Sequence, residues 1–402
     1  MLADGAVFKY QRSKMKTIPI AEMSFPTRMI VGPGALARLP AEVRGLNAKK
    51  PLIVSDRGLA AAGLVDRVRG ILDAEGIESV TFLDVSKNPK EPDVLAGTAV
   101  YREHFTDLVI GLGGGAAMDV AKLVRLKCTH PLPLSAYDDT KGGSDRIHAN
   151  QPPMIAIPTT AGTGSEVGRS GVVCLPPDDR KVVIFSPHML AEVAILDAEL
   201  TLELPPRLTA ATGIDAMTHA LEAYVSKGAH PFADDFALAA LARVGKHLER
   251  VVRDGHALWS RHEMMIASSM GAISFQKGLG ACHALAHPLS AVADLHHGLA
   301  NAVMLPSVIE FNLKEARDRY AVAGVALGAP EARTQEARAE ACLDRVREIL
   351  ESTGLPTRLT SEGVTPDMID RMVPQAVEDP SAPGNPRLLT MEAARALYES
   401  SM

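Results

Sequence analysis

Four histidines and one aspartate in this chain are spaced to hold a divalent metal. Asp215 and His219 are four residues apart in GIDAMTHALEAY, and His283 and His287 are four apart in GACHALAHPLS. Both runs have helical periodicity, and residues four apart on a helix share a face, so each pair can aim into one cavity. His297 follows in DLHHGLAN. Imidazoles with one carboxylate suit Fe²⁺ or Zn²⁺ better than Mg²⁺ or Ca²⁺. One such pair would be a modest signal, because single histidines in helices are usually structural. Two pairs and a fifth candidate are harder to ascribe to chance. Five candidates exceed the four places of an ordinary protein site, which leaves His287 or His296 for another task such as moving a proton. Other histidines, such as His104 and His130, have no partner at such spacing.

Two glycine-containing turns add a second kind of chemistry. Gly113-Gly114-Gly115 leaves an apolar strand and opens a helix. Glycines let the backbone approach a phosphate, and a helix start offers free N–H groups and a favourable dipole. The run is not G-x-G-x-x-G, so taken alone a tight turn explains it equally well. The loop Pro158-Thr159-Thr160-Ala161-Gly162-Thr163-Gly164-Ser165-Glu166 also follows a strand and concentrates hydroxyls and glycines. Such a loop suits phosphate and ribose oxygens. Asp56 ends the strand PLIVSD, where a carboxylate can hydrogen-bond a ribose or cap a helix.

The elements that must position these residues fall into two halves. Apolar runs at 51–56, 79–85, 106–115 and 154–160 alternate with helical patterns, which predicts a doubly wound parallel sheet of Rossmann-like type. From about Thr209 the pattern becomes long, alanine-rich and helical. LELPPR supplies a proline break between the two. The expected division is an N-terminal arm over 1–20, an α/β domain over 21–205 and an all-α domain over 206–402. A chain of 402 residues exceeds one ordinary core, in agreement with two domains. Hydrophobic content of 47% and charged content of 22% are those of a globular protein, and a net charge of −6 does not favour nucleic acid or an anionic membrane. No stretch approaches a membrane span, and the first 20 residues have basic residues without a following apolar run, unlike a signal peptide. The four cysteines lack C-x-x-C spacing, so reduced thiols in a cytoplasmic protein are expected, with Cys282 a small buried neighbour of His283.

From roughly Phe25 to the C-terminus, GLGGGAAMDVAK, AIPTTAGTGSEV, GIDAMTHALEAY and GACHALAHPL…HHGLANAVMLP occur in an order that resembles the iron-containing (group III) alcohol dehydrogenases. The resemblance implies a Rossmann-like domain binding NAD(P), and a helical domain holding the metal in the cleft between them. It implies metal ligation by Asp215, His219, His283 and His297, with His287 near the nicotinamide rather than on the metal. Nucleotide contacts are implied at Asp56, Asn88, Gly114, Gly115, Ala116, Asp119, Thr159, Thr160, Thr163, Ser165 and Lys181. An acid at Asp56 is associated with NAD rather than NADP. The cofactors implied are therefore NAD and Fe²⁺, with Zn²⁺ accepted by the same donors. A homodimer is also implied. The chain departs from the family pattern in three places. The usual GGGS is GGGA, so Ala116 offers no hydroxyl. Ser170 replaces a bulkier residue. His296 precedes His297 at the last ligand.

The expected reaction is reversible oxidation of an alcohol to an aldehyde or ketone, with the metal as Lewis acid and hydride passing to the nicotinamide. The substrate expected is a short primary alcohol, a diol or an ω-hydroxy acid. Arg169 beside the second loop could pair with a carboxylate, although a structural arginine is the plainer reading. A glycerol-dehydrogenase-like or dehydroquinate-synthase-like zinc enzyme would share this fold. A non-catalytic metal- or nucleotide-binding protein is the reading of another class.

Overall fold

The computed structural model describes residues 21–177 and 180–402; the N-terminal arm lies outside the described residues. In chain order the first half gives β1 (Arg28–Val31), α1 (Leu39–Gly45), β2 (Pro51–Val54), α2 (Arg57–Ala61), α3 (Leu64–Asp73), β3 (Val80–Phe82), α4 (Glu91–Glu103), β4 (Leu108–Gly113), α5 (Gly115–Thr129), β5 (Met154–Pro158), β6 (Ser170–Leu175), β7 (Arg180–Phe185) and β8 (Val193–Leu196). Six strands form one parallel sheet in the order β1-β8-β5-β4-β2-β3. β2, β4, β5 and β8 are buried along their whole length, as continuous apolar strands covered on both faces should be. The period of two sorts their side chains. Leu52, Val54 and Val109 join α4 and α5 on one face, whereas Ile53, Leu108, Ile110 and Leu112 join α1 and α3 on the other.

The four strands expected from sequence are present, with shorter limits. β1 and β8 complete the sheet on the side of β5. β6 and β7 pair antiparallel outside the sheet. Val173, Leu175, Val182 and Ile184 turn one face of this hairpin into the sheet's core. The alternate residues Lys181 and Val183 face a cavity shared with His287 and Pro288.

The second half comprises α6 (Pro206–Val225), α7 (Pro231–Arg253), α8 (Leu258–Ser274), α9 (Ala281–Ala293), α10 (His297–Ala326), α11 (Gln335–Thr353), α12 (Pro366–Val377) and α13 (Met391–Ser400). Helix α6 begins with Pro206 at its first turn, where a missing N–H costs no hydrogen bond. The last helix, α13, starts after Thr390, which caps it through the Ala393 N–H. α6 is buried over nearly its whole length, at the centre of the helical core. Among the described residues, no helix is long and apolar enough to cross a membrane.

Small residues bring the halves into close contact. A methyl on Gly162 would lie 2.8 Å from Thr212 Cβ, and one on Gly164 would lie 2.3 Å from Ala272 Cβ. The second glycine-containing loop therefore packs directly on α6 and α8. Ser269 of α8 donates to the buried Glu166 carboxylate at 2.6 Å.

Candidate metal centre and adjoining cleft

Asp215 and His219 project from α6 one turn apart, His283 comes from α9, and His297 is the first residue of α10. One donor atom from each lies within 4.8 Å of every other. Asp215 Oδ1 is 3.8 Å from His283 Nε2 and 3.5 Å from His297 Nε2, and Asp215 Oδ2 is 3.9 Å from His219 Nδ1. The His219 and His283 rings stack at 4.5 Å. Three of the four residues are buried, and His297 opens the cluster to one side. The structure thus gathers His297 and not His296, which precedes the first turn of α10. His219 Nδ1 is buried without a hydrogen-bond partner. A buried, orphaned imidazole nitrogen facing a carboxylate would be costly in an empty apolar core. Three imidazoles and one carboxylate with such an orphan fit a first-row divalent ion.

Two further side chains orient these donors. Glu222, on the same helix face as Asp215 and His219, accepts from His283 Nδ1 at 2.6 Å. That bond places the proton on Nδ1 and leaves Nε2 turned inward. Asn301, one turn after His297, donates to Asp215 Oδ1 at 2.8 Å. Burial pulls the His219 imidazole down to about 4 against the charge of Asp215, so the ring is neutral. Burial, with Lys181 and the neighbouring imidazoles, holds His297 well below its ordinary value. Burial also lowers His283, but the hydrogen bond and charge of Glu222 and the charges of Asp215 and Asp379 leave it raised. Burial drives the Cys282 thiol well above its usual range, so it is an unreactive neighbour. The helical spacing of Glu222 and Asn301 was available in the sequence; Asp379 carried no such signal.

His287 lies one turn beyond His283 and stacks on His297 at 5.3 Å. Its Nδ1 pairs with Asp379 Oδ2 at 2.7 Å.

Most of the residues expected to meet a nucleotide fall at or just beyond the carboxyl ends of β2, β4 and β5. This is where the chain runs from β2 outward to β3 and from β4 the opposite way, the crevice that ligands of open parallel sheets occupy. Gly113 has φ +148°, and a methyl on Gly115 would lie 2.6 Å from Thr163 Cγ2, so the two glycine-containing turns are in contact. Gly114 caps α5 without a side-chain bond, which leaves the first N–H groups of that helix available. Thr160 lies against Gly114. The Thr159 N–H donates to Gly113 O at 3.0 Å. Asp119 accepts from Ser165 at 2.9 Å, and Lys122 donates to Ser165 at 2.8 Å and to Ser170 O at 2.9 Å. Asp56 and Ala116 line one cleft. Asp56 also caps α2 through the Leu59 N–H at 3.0 Å, so its helix-capping role is realised. Two expected residues also reach toward the helical half. Asn88 donates to Asp294 at the end of α9, and Lys181 lies on the hairpin with His287. Arg169 stacks on the Phe185 ring at 4.9 Å, a packing role.

Comparison with known proteins agrees in both halves. Residues 26–198 match the family described as iron-containing alcohol dehydrogenase, and residues 209–402 match its C-terminal domain. A 4-hydroxybutyrate dehydrogenase of Cupriavidus necator is 39% identical over 92% of this chain and 96% of its own length. A 1,3-propanediol dehydrogenase of Citrobacter freundii is 36% identical over 90% of this chain and 94% of its own length. A crystal structure of 1,3-propanediol oxidoreductase superposes with TM-score 0.91 at 33% identity, over 96% of this chain and all (100%) of that one. With the metal-type cluster in one half and the glycine-containing turns in the other, the chain belongs to the iron-containing alcohol dehydrogenase family.

Proposed function

We propose that this oxidoreductase interconverts a short primary alcohol, diol or ω-hydroxy acid with its aldehyde, using NAD, and that Asp215, His219, His283 and His297 hold Fe²⁺. The observation that carries this reading is the convergence of those four donors beside His287. The names of the relatives, a 4-hydroxybutyrate and a 1,3-propanediol dehydrogenase, support the substrate range. When bound, the ion supplies a Lewis acid at the substrate oxygen and the nicotinamide a hydride acceptor.

The chain's own residues do the rest. Glu222 keeps His283 in the tautomer that offers Nε2, and Asn301 fixes the Asp215 carboxylate. The N–H groups of Gly115 and its neighbours, with Thr160, Thr163 and Ser165, accommodate the pyrophosphate; Ala116 contributes backbone only. Asp56 takes a ribose hydroxyl through the oxygen not engaged by Leu59, which favours NAD over its 2′-phosphorylated form. His287 accepts the hydroxyl proton as the C–H hydrogen leaves with its electron pair. The reading divides the chain into a nucleotide-binding unit, 21–205, and a metal-binding unit, 206–402. It includes a homodimer, as the family resemblance implies, and a cytoplasmic location, as expected from the cysteine pattern.

The test is metal analysis of anaerobically purified protein with a screen of NAD⁺ and NADP⁺ reduction. Alcohols, diols and ω-hydroxy acids would be supplied as substrates. Stoichiometric iron and NAD⁺-linked turnover are expected. Iron-replete protein that reduces neither nucleotide with any of them would overturn the reading.

A further inference from the structure

The partner of His287 comes from far along the chain. Asp379 lies in the proline-rich loop between α12 and α13, 92 residues from His287. Its carboxylate is held at both ends. Oδ1 accepts the Ser381 N–H at 2.8 Å, and Oδ2 meets His287 Nδ1 at 2.7 Å. The loop itself is bolted to the helix that carries His287. Asn385 accepts the Ala281 N–H at the start of α9, at 3.1 Å, and exchanges two hydrogen bonds of 2.8 Å with Asn312 of α10. A methyl on Gly384 would lie 2.2 Å from Leu279 O, so the loop cannot lift away without breaking this contact. The other ring nitrogen of His287 has no hydrogen-bond partner among the described residues, and it is not among the buried orphans. The residue borders the cavity lined by Lys181 and Val183.

We infer that Asp379 is a positioning residue for the alcohol dehydrogenase reaction: it fixes the His287 tautomer with the proton on Nδ1, so that Nε2 is the base facing the cleft. This rests on the reading that His287 receives the substrate proton. A carboxylate accepts only, so the proton shared with it must sit on Nδ1. Without that partner the neutral ring divides between two tautomers, and the rotation about its side-chain bonds is released. In the forward direction the substrate O–H bond breaks and its proton goes to Nε2. The C–H hydrogen and its electron pair go to NAD⁺, the C=O bond forms, and the imidazolium keeps its Nδ1–H on Asp379. Return of one proton to water restores the ring.

Steady-state alcohol oxidation by iron-loaded Asp379→Ala, with and without added formate, tests this. The expected result is a kcat lower by roughly 10²-fold or more, the size of a lost acid–base contribution. KM and iron content should stay near wild type, and formate, which fits the vacated space, should restore part of kcat where chloride does not. A kcat within about threefold of wild type would overturn the inference, as would a loss confined to KM or iron. If the alanine variant fails to fold, Asp379→Asn of the same shape takes its place. An amide side chain that leaves kcat within about threefold then refutes the need for the carboxylate. Iron-loaded His287→Ala separates the underlying reading. If that variant keeps full kcat, the role of His287 fails; if it loses kcat while Asp379→Ala keeps it, only the role of Asp379 fails.

Discussion

A metal ligand is only as well placed as the groups behind it. His283 meets Glu222 at 2.6 Å, and Glu222 in turn accepts the Cys282 N–H at 2.6 Å, so the carboxylate locks both the ring and the first turn of α9. Glu222→Gln keeps the volume but removes the charge, and its amide can point a donor at Nδ1. Metal affinity should fall by about 10- to 100-fold, the usual cost of losing such a partner. Competition with a chelator measures it, and an unchanged affinity would mean that the bond is incidental. The four candidate ligands and His287 were legible in the sequence because helical spacing and the family motifs coincide. Glu222 and Asn301 carried the same spacing signal, being three residues beyond His219 and four beyond His297. Asp379 was illegible: its relation to His287 exists only once a loop 92 residues away has folded onto α9.

At the scale of elements, glycines set how closely the helices bearing the candidate ligands approach. Gly298 follows His297 at the start of α10, and a methyl there would lie 2.2 Å from Ala211 O on α6. Gly298→Ala must therefore push the two helices apart and widen the 3.5 Å gap between His297 and Asp215. A stability loss of about 1–3 kcal/mol is expected, together with weakened iron binding. Full stability in denaturant with full iron content would show that the backbone yields without cost. A second element contact depends on pH. Lys122 of α5 ties the Ser165 loop to β6, and burial lowers its ammonium from 10.5 to about 8, partly offset by Asp119 and Glu166. Between those values the unfolded chain holds more protons at this residue than the folded one, so folding becomes more favourable as pH rises. The burden is present in full below about 8 and is relieved toward 10.5. The stability of wild type relative to Lys122→Met should therefore rise over that window; a difference that is flat or falls would contradict the burial of a charged lysine. Propensity and periodicity made the helices and central strands legible, whereas β1 and β8 were not, because strands of four residues carry little pattern until the sheet pairs them.

Across the whole molecule, the candidate ligands all belong to the helical half, while the residues expected at the nucleotide all belong to the sheet half. What joins the two is dense and mostly apolar or small: Gly162 on Thr212, Gly164 on Ala272, and the Glu166–Ser269 hydrogen bond. Thr212 lies on α6 one turn before Asp215, so the loop from the sheet presses on the helix that supplies two of the four donors. Contacts that close leave no room for one half to loosen while the other stays native, so an ion held by the helical half should stabilise the entire chain. Iron at about 100 times its dissociation constant should add about 2.7 kcal/mol. The single tryptophan, Trp259, lies at the start of α8 and reports on the helical half, whereas far-ultraviolet circular dichroism reports on both halves. Iron loading should move both thermal transitions upward together, and removal of the metal should lower both. If the Trp259 signal shifts with iron while a second transition in the dichroism stays fixed, the halves unfold independently. The close packing of the glycine loop on α6 would then not couple the metal to the nucleotide side of the cleft.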